Sequence, residues 1–139
     1  MLNSIIIVDD LPEDAALIER ALMSLAPKSP VRTVHSGRDL IAYLEGQGLY
    51  ADREAFPYPA LILLDLRMQE MNGFELLEWL RNEPSHAAIP VIVVSAFDRQ
   101  REIRKSYQLG ARTFVSKPVA PESIRNAIRA LKLATKFFI

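Results

Sequence analysis

The sequence has no cysteine, five glycines and a single tryptophan in 139 residues. Without thiols there are no disulfides and no thiolate chemistry, and a reducing, cytoplasmic setting is the expectation. Long apolar runs are missing as well. Stretches such as Ala60 to Leu64 and Pro90 to Val94 fall far short of the roughly 20 residues that cross a bilayer, so membrane insertion is not expected. Behind Met1 only Leu2, Asn3 and Ser4 precede a strand-like run, which predicts no secretory leader. Histidine is scarce too: His35 and His86 stand apart without ligand spacing, so a histidine-based metal site is not expected.

Net charge is absent overall, with 17 basic against 17 acidic residues, but the balance hides a division. Residues 1 to 97 carry seven Lys/Arg and fourteen Asp/Glu, whereas residues 98 to 139 carry ten and three. The basic last part reads either as a solvated face or as a docking surface for an acidic partner. Nucleic-acid binding is not expected, because no helix-turn-helix or aromatic-interleaved basic stripe accompanies the charge.

What the chain does have is half apolar composition, enough for one core, arranged as Ile/Val-rich runs alternating with segments of helical period. Strands are predicted over Ser4 to Val8, Val31 to His35, Ala60 to Leu64, Val91 to Val94 and Thr113 to Ser116. The first, third and fourth are apolar on both faces, as central strands under helices must be. Pro12 starts a helix with Leu17, Ile18, Ala21, Leu22 and Leu25 inward, and Pro27 ends it. Ser36 or Gly37 opens a second helix burying Leu40, Ile41 and Leu44, and Asn72-Gly73 precedes a third burying Phe74, Leu77 and Leu80. A fourth runs from about Arg99 to Leu109 and stops at Gly110; a fifth starts near Glu122 and buries Ile124, Ala127, Ile128 and Leu131. This alternation predicts a doubly wound α/β domain of flavodoxin-like type, five parallel strands in the order 2-1-3-4-5. Residues 46–59 are either an extended second helix with an irregular exit or a surface excursion.

In such sheets the working crevice lies beyond the carboxyl ends of the strands. This chain places there Asp9 and Asp10, then Asp65, then Ser95 and Ala96, then Lys117 and Pro118. Each Asp taken singly would be read as a helix cap, Ser95 as a turn residue and Lys117 as a solvated lysine. Independent capping does not predict complementary groups at four strand ends. Converging carboxylates repel unless a cation holds them ionised, and hard oxygen ligands favour magnesium with room left for phosphate oxygens. A carboxylate beside magnesium, a lysine and a hydroxyl suits attack on phosphorus to form an aspartyl-phosphate. Asp65, alone after the central strand, is the nucleophile candidate, with Lys117, the Ser95 hydroxyl and the Ala96 N–H facing the phosphoryl oxygens.

At these residues the chain resembles the receiver domain of two-component response regulators over essentially its whole length. The carriers are IIIVDD, LILLDLRMQEMNG, the VSA triplet and the KPV triplet, in that order. The resemblance implies that Asp65 accepts a phosphoryl group from a sensor histidine kinase or histidine phosphotransfer protein. It also implies magnesium held by Asp10, Asp65 and the backbone carbonyl of Arg67, with Asp9 assisting through water. Phe114 matches the switch aromatic that turns inward as Ser95 moves toward the phosphate. The fourth helix, fifth strand and fifth helix would form the output face, for a partner or for a homodimer. Such a protein is a phosphoacceptor in signalling and not an enzyme acting on other substrates. Only Lys132 to Ile139 follow the fifth helix, so a stand-alone receiver over residues 1–139 is expected. The long connection before strand three and FELLEWLR are similar to the subgroup paired with phytochrome-like and hybrid sensor kinases.

Departures from the family pattern carry their own expectations. Gln69 stands where a proline is usual, so a less rigid loop is expected after the acceptor. Phe114 lacks a tyrosine's hydroxyl. Arg67 and Phe97 lie two residues beyond Asp65 and Ser95 and neither orients a nucleophilic water well, so a long-lived phosphorylated state is expected. Phe137-Phe138-Ile139 is either an interface patch or packs on its own domain.

Rival chemistries fit less well. A haloacid-dehalogenase-type phosphatase needs a second Asp two residues after its nucleophile, and a flavodoxin loop would not be VDDLPED. Dinucleotide binding lacks its Gly-rich fingerprint. A receiver that binds partners without being phosphorylated remains the alternative function.

Overall fold

The computed structural model describes residues 3–132 and Phe137. Five parallel strands, β1 (Ser4–Val8), β2 (Val31–Val34), β3 (Pro59–Leu64), β4 (Val91–Ser95) and β5 (Thr113–Ser116), form one sheet in the order β2-β1-β3-β4-β5. Helices α1 (Pro12–Met23), α2 (Gly37–Leu44), α3 (Gly73–Asn82), α4 (Gln100–Gln108) and α5 (Pro121–Ala130) connect them. The flavodoxin-like order and alternation are those the sequence predicts.

The two-residue period of the strands divides the core into two layers. Ile6, Val8, Ile62, Leu64, Val91 and Val93 face Leu40, Tyr43, Leu44, Leu76, Leu77 and Leu80 of α2 and α3. Ile5, Ile7, Leu61, Leu63, Ile92 and Val94 face Ala15, Ile18, Leu22, Ile124, Ala127 and Ile128 of α1 and α5. Phe137 is fully buried in this second layer, and its carbonyl accepts the Lys28 N–H. It therefore packs on its own domain; Phe138 and Ile139 lie outside the described residues.

Some inward assignments are corrected. Leu17 is 51% exposed, because the α1 stripe runs through Ala15, Ile18 and Leu22 and leaves position 17 off its centre. In α2 Tyr43 is buried and Ile41 only partly so, and in α3 Leu76 takes the inward place expected of Phe74, which is half-buried. Residues 46–59 do not extend α2, which ends at Leu44. Gly46 takes a positive φ of 65° to turn the chain, a short 3-10 turn follows at Gly48–Ala51, and Tyr50 and Phe56 pack on the Tyr43 ring. The Ser4 and Tyr43 hydroxyls both donate to the Pro57 carbonyl. The excursion is thus sewn to the amino ends of β1 and β3.

Candidate functional site

Strand register brings the distant site residues together. Val8 pairs with Leu64, so Asp9 and Asp65 leave the sheet side by side, with the Asp65 N–H bonded to the Val8 carbonyl. Ser95 pairs with Ser116, and the Lys117 N–H donates to the Ser95 carbonyl. Gly73 lets α3 close on this rim: a Cβ there would lie 2.5 Å from the Asp65 carbonyl oxygen and 2.6 Å from the Leu66 Cα. Asn72 caps α3 with a reciprocal Glu75 contact.

Asp9, Asp10 and Asp65 each offer a carboxylate oxygen, all within 4.8 Å of one another. None of them caps a helix: the α1 and α4 caps are Leu11 and Arg99, without side-chain bonds, and α3 is capped by Asn72. Asp9 is fully buried and Asp65 nearly so, at 3% exposure. Asp9 accepts the Leu11 N–H, and its backbone carbonyl meets His35 Nδ1. Asp10 accepts the Gln69 N–H at 3.2 Å. A proline at position 69 would lack that donor, so the expected loosening of this loop is set against a tie to the acid cluster.

Lys117 is no solvated lysine. Its Nζ lies 2.8 Å from Asp9, 2.9 Å from Asp14 and 3.6 Å from Asp65. Burial works against its charge, but the bonds to Asp9 and Asp14 and the fields of Asp65 and Asp9 outweigh it and raise its pKa above the ordinary lysine value. Asp65 is pushed up to about 6, first by burial and then by the Asp9 charge, against the opposing pull of Lys117, the Ser95 hydroxyl and the Arg67 backbone. Ser95 is fully buried, and its Oγ accepts the Phe97 N–H at 3.0 Å. Ala96 is exposed on the rim, and the Lys117-Pro118 bond is cis.

The chemistry of this donor set fits a hard divalent cation. It is all oxygen, and the burial and the Asp9 charge that lift the Asp65 pKa are both offset by a bound cation. A hollow of about 460 Å³ beside it is lined by Asp10, Arg67, Gln69, Phe74 and Phe97 among others. Another, of about 300 Å³, lies against Asp14, Leu17, Ala96, Lys117 and Val119. Phe114 is half-buried against the α2–α3 layer and lines a groove of about 410 Å³ between β5 and α5.

Sequence reasoning missed Asp14. Its signal was an acid in the first turn of a helix starting at the crevice, which macrodipole preference explains equally well. It also missed that Arg67 lies over the Phe97 ring at 4.9 Å, that Phe97 meets Phe74 at 6.4 Å, and that Lys105 lies over Phe74 at 4.4 Å.

An acid cluster with a lysine and a hydroxyl at the carboxyl rim of a 2-1-3-4-5 sheet defines a signalling receiver fold. Residues 5–129 match the response regulator receiver domain, and the chain belongs to that family. It is 29% identical over 113 residues to response regulator Rcp1 of Synechocystis, covering 81% of this chain and 75% of Rcp1. The bacteriophytochrome response regulator RtBRR superposes with a TM-score of 0.84 at 34% identity, over 94% of this chain and 78% of that one. The phosphorylated cyanobacterial phytochrome response regulator RcpA gives 0.77 at 29% identity, over 96% and 94%. A manganese(II)-bound form of Rcp1 gives 0.75 at 25% identity, over 94% and 92%. The resemblance to phytochrome-linked regulators is thus shared by the solved relatives.

Proposed function

We propose that this protein is a phosphoacceptor of a two-component pathway. Asp65 takes a phosphoryl group from a phosphohistidine on a sensor kinase or a histidine phosphotransfer protein, in a magnesium-dependent reaction. The observation that carries this reading is the gathering of Asp9, Asp10 and Asp65 within 4.8 Å, with Lys117 Nζ bonded into the same cluster. Relatives crystallised in phosphorylated and manganese-bound forms support it.

The Asp65 carboxylate attacks phosphorus, the P–N bond to the donor imidazole breaks, and the imidazole leaves with the bonding pair and takes up a proton. Asp9, Asp10, Asp65 and the Arg67 carbonyl would hold magnesium, which supplies neutralising charge for the transferred oxygens. Lys117 exchanges part of its carboxylate company for a phosphoryl oxygen, and the Ser95 hydroxyl and Ala96 N–H donate to the others. Ser95 gives up its bond from Phe97 N–H as it moves, and Phe114 turns into the space this frees. The change is read on the α4–β5–α5 face, where Arg101, Arg104, Lys105 and Arg129 are exposed, by an acidic partner or a second copy.

Incubation with acetyl phosphate, with and without magnesium, tests the reading by intact mass. Wild type should gain one phosphoryl group only when magnesium is present, and Asp65→Asn none. An adduct surviving that substitution removes the assigned acceptor; no adduct on wild type favours a receiver that binds partners without phosphorylation.

A further inference from the structure

Four side chains from four separate segments form one continuous row beside the acid cluster. Arg67 leads, two residues past Asp65, its guanidinium carbon 4.9 Å from the Phe97 ring centre. Phe97 leans on Phe74 of α3 at 6.4 Å and 60°. Lys105 of α4 closes the row, its Nζ 4.4 Å from the Phe74 centre. A cation caps each end of an aromatic pair, so each ring face meets charge of the sign its quadrupole favours. Arg67, Phe74 and Phe97 also wall the 460 Å³ hollow that reaches Asp10. Asp65 is almost fully buried, and this wall stands on the Asp10 side of the cluster that holds it.

We propose that Phe74 and Lys105 are positioning residues for the lifetime of the phosphorylated state, acting through Phe97 and Arg67 to keep hydrolytic water from Asp65; this rests on the phosphoacceptor reading above. Hydrolysis adds a water oxygen to phosphorus and breaks the bond from phosphorus to the Asp65 carboxylate oxygen. The carboxylate leaves with the bonding pair, and the water's protons pass to the released phosphate and the solvent. No member of the row is a carboxylate or amide able to activate that water, so an intact row slows the step. Lys105 belongs to the proposed output face, and a partner that draws it off Phe74 loosens the row. Output binding and phosphoryl lifetime are thereby coupled.

The test uses the full chain, phosphorylated with acetyl phosphate and magnesium, freed of donor by desalting and followed by intact mass. Phe74→Leu and Lys105→Met should lose the phosphoryl group about threefold to tenfold faster than wild type, the range that loss of one cation–π contact gives. Lys105→Arg should restore the wild-type lifetime. The rate of phosphoryl acceptance should stay within about twofold in all three variants, because no hydrogen bond or ion pair joins either residue to Asp9, Asp10, Asp65 or Lys117. Unchanged decay in both Phe74→Leu and Lys105→Met overturns the inference and leaves the phosphoacceptor reading intact. Acceptance and lifetime falling together would show general damage to the site and also overturn it. Absence of any adduct on wild type removes both readings.

Discussion

Asp65 is the residue at which folding and chemistry conflict. Its pKa of about 6, set first by burial and then by Asp9, lies above the ordinary carboxyl value near 3.9. The fold therefore favours the protonated form. The stability this group contributes is complete below about pH 4 and is lost as pH rises through 6. We expect Asp65→Asn to stabilise the metal-free protein at pH 7 by about 3 kcal/mol, with the gain shrinking toward pH 4. Thermal melts across that range check it, and a gain independent of pH would contradict the assignment. Gln69 and Asp14 act at the same scale. One donates a backbone N–H to Asp10 that proline could not supply, and the other shares the Lys117 ammonium with Asp9.

At the scale of elements, α3 and α4 differ in how they are held. α3 is fixed by its capping box, by Leu76, Leu77 and Leu80, and by the close approach of Gly73 to the Asp65 backbone. Gly73→Ala should cost about 2 kcal/mol through overpacking against that backbone, measured by denaturant titration. A cost below about 0.5 kcal/mol would mean the rim gives way more easily than its contacts imply. α4 buries Glu102 and Ser106 instead of leucines, and Glu102 Oε1 has no hydrogen-bond partner. A helix with so little apolar surface to bury is among the elements that open at low cost. The strands and helices were legible because buried strands are continuously apolar and the helices carry proline, Asn-Gly and glycine punctuation. The inward faces of α2 and α3 were less so, since Ile41 and Tyr43, or Phe74 and Leu76, are apolar neighbours that only packing can rank.

Across the whole molecule, the acid cluster was readable from the rule that parallel sheets work at their carboxyl ends. The third anchor of Lys117 and the aromatic row were not, because both depend on contacts between segments far apart in the chain. The tail could be read either way from composition, and packing settles Phe137: it is fully buried beside Ile18, Leu22 and Ile128. Phe137→Ala should cost about 3 kcal/mol, seen as a lower denaturation midpoint, and a neutral effect would show that this contact adds nothing to the core. The parallel arrangement gathers the acid cluster and Lys117 on one rim and leaves the other to Tyr50 and Phe56 of residues 46–59, knotted with Tyr43 of α2. That division makes the rim away from the acid cluster a place for engineering: Leu49, at 74% exposure, marks a tip where a fluorophore or epitope can be grafted clear of the candidate site.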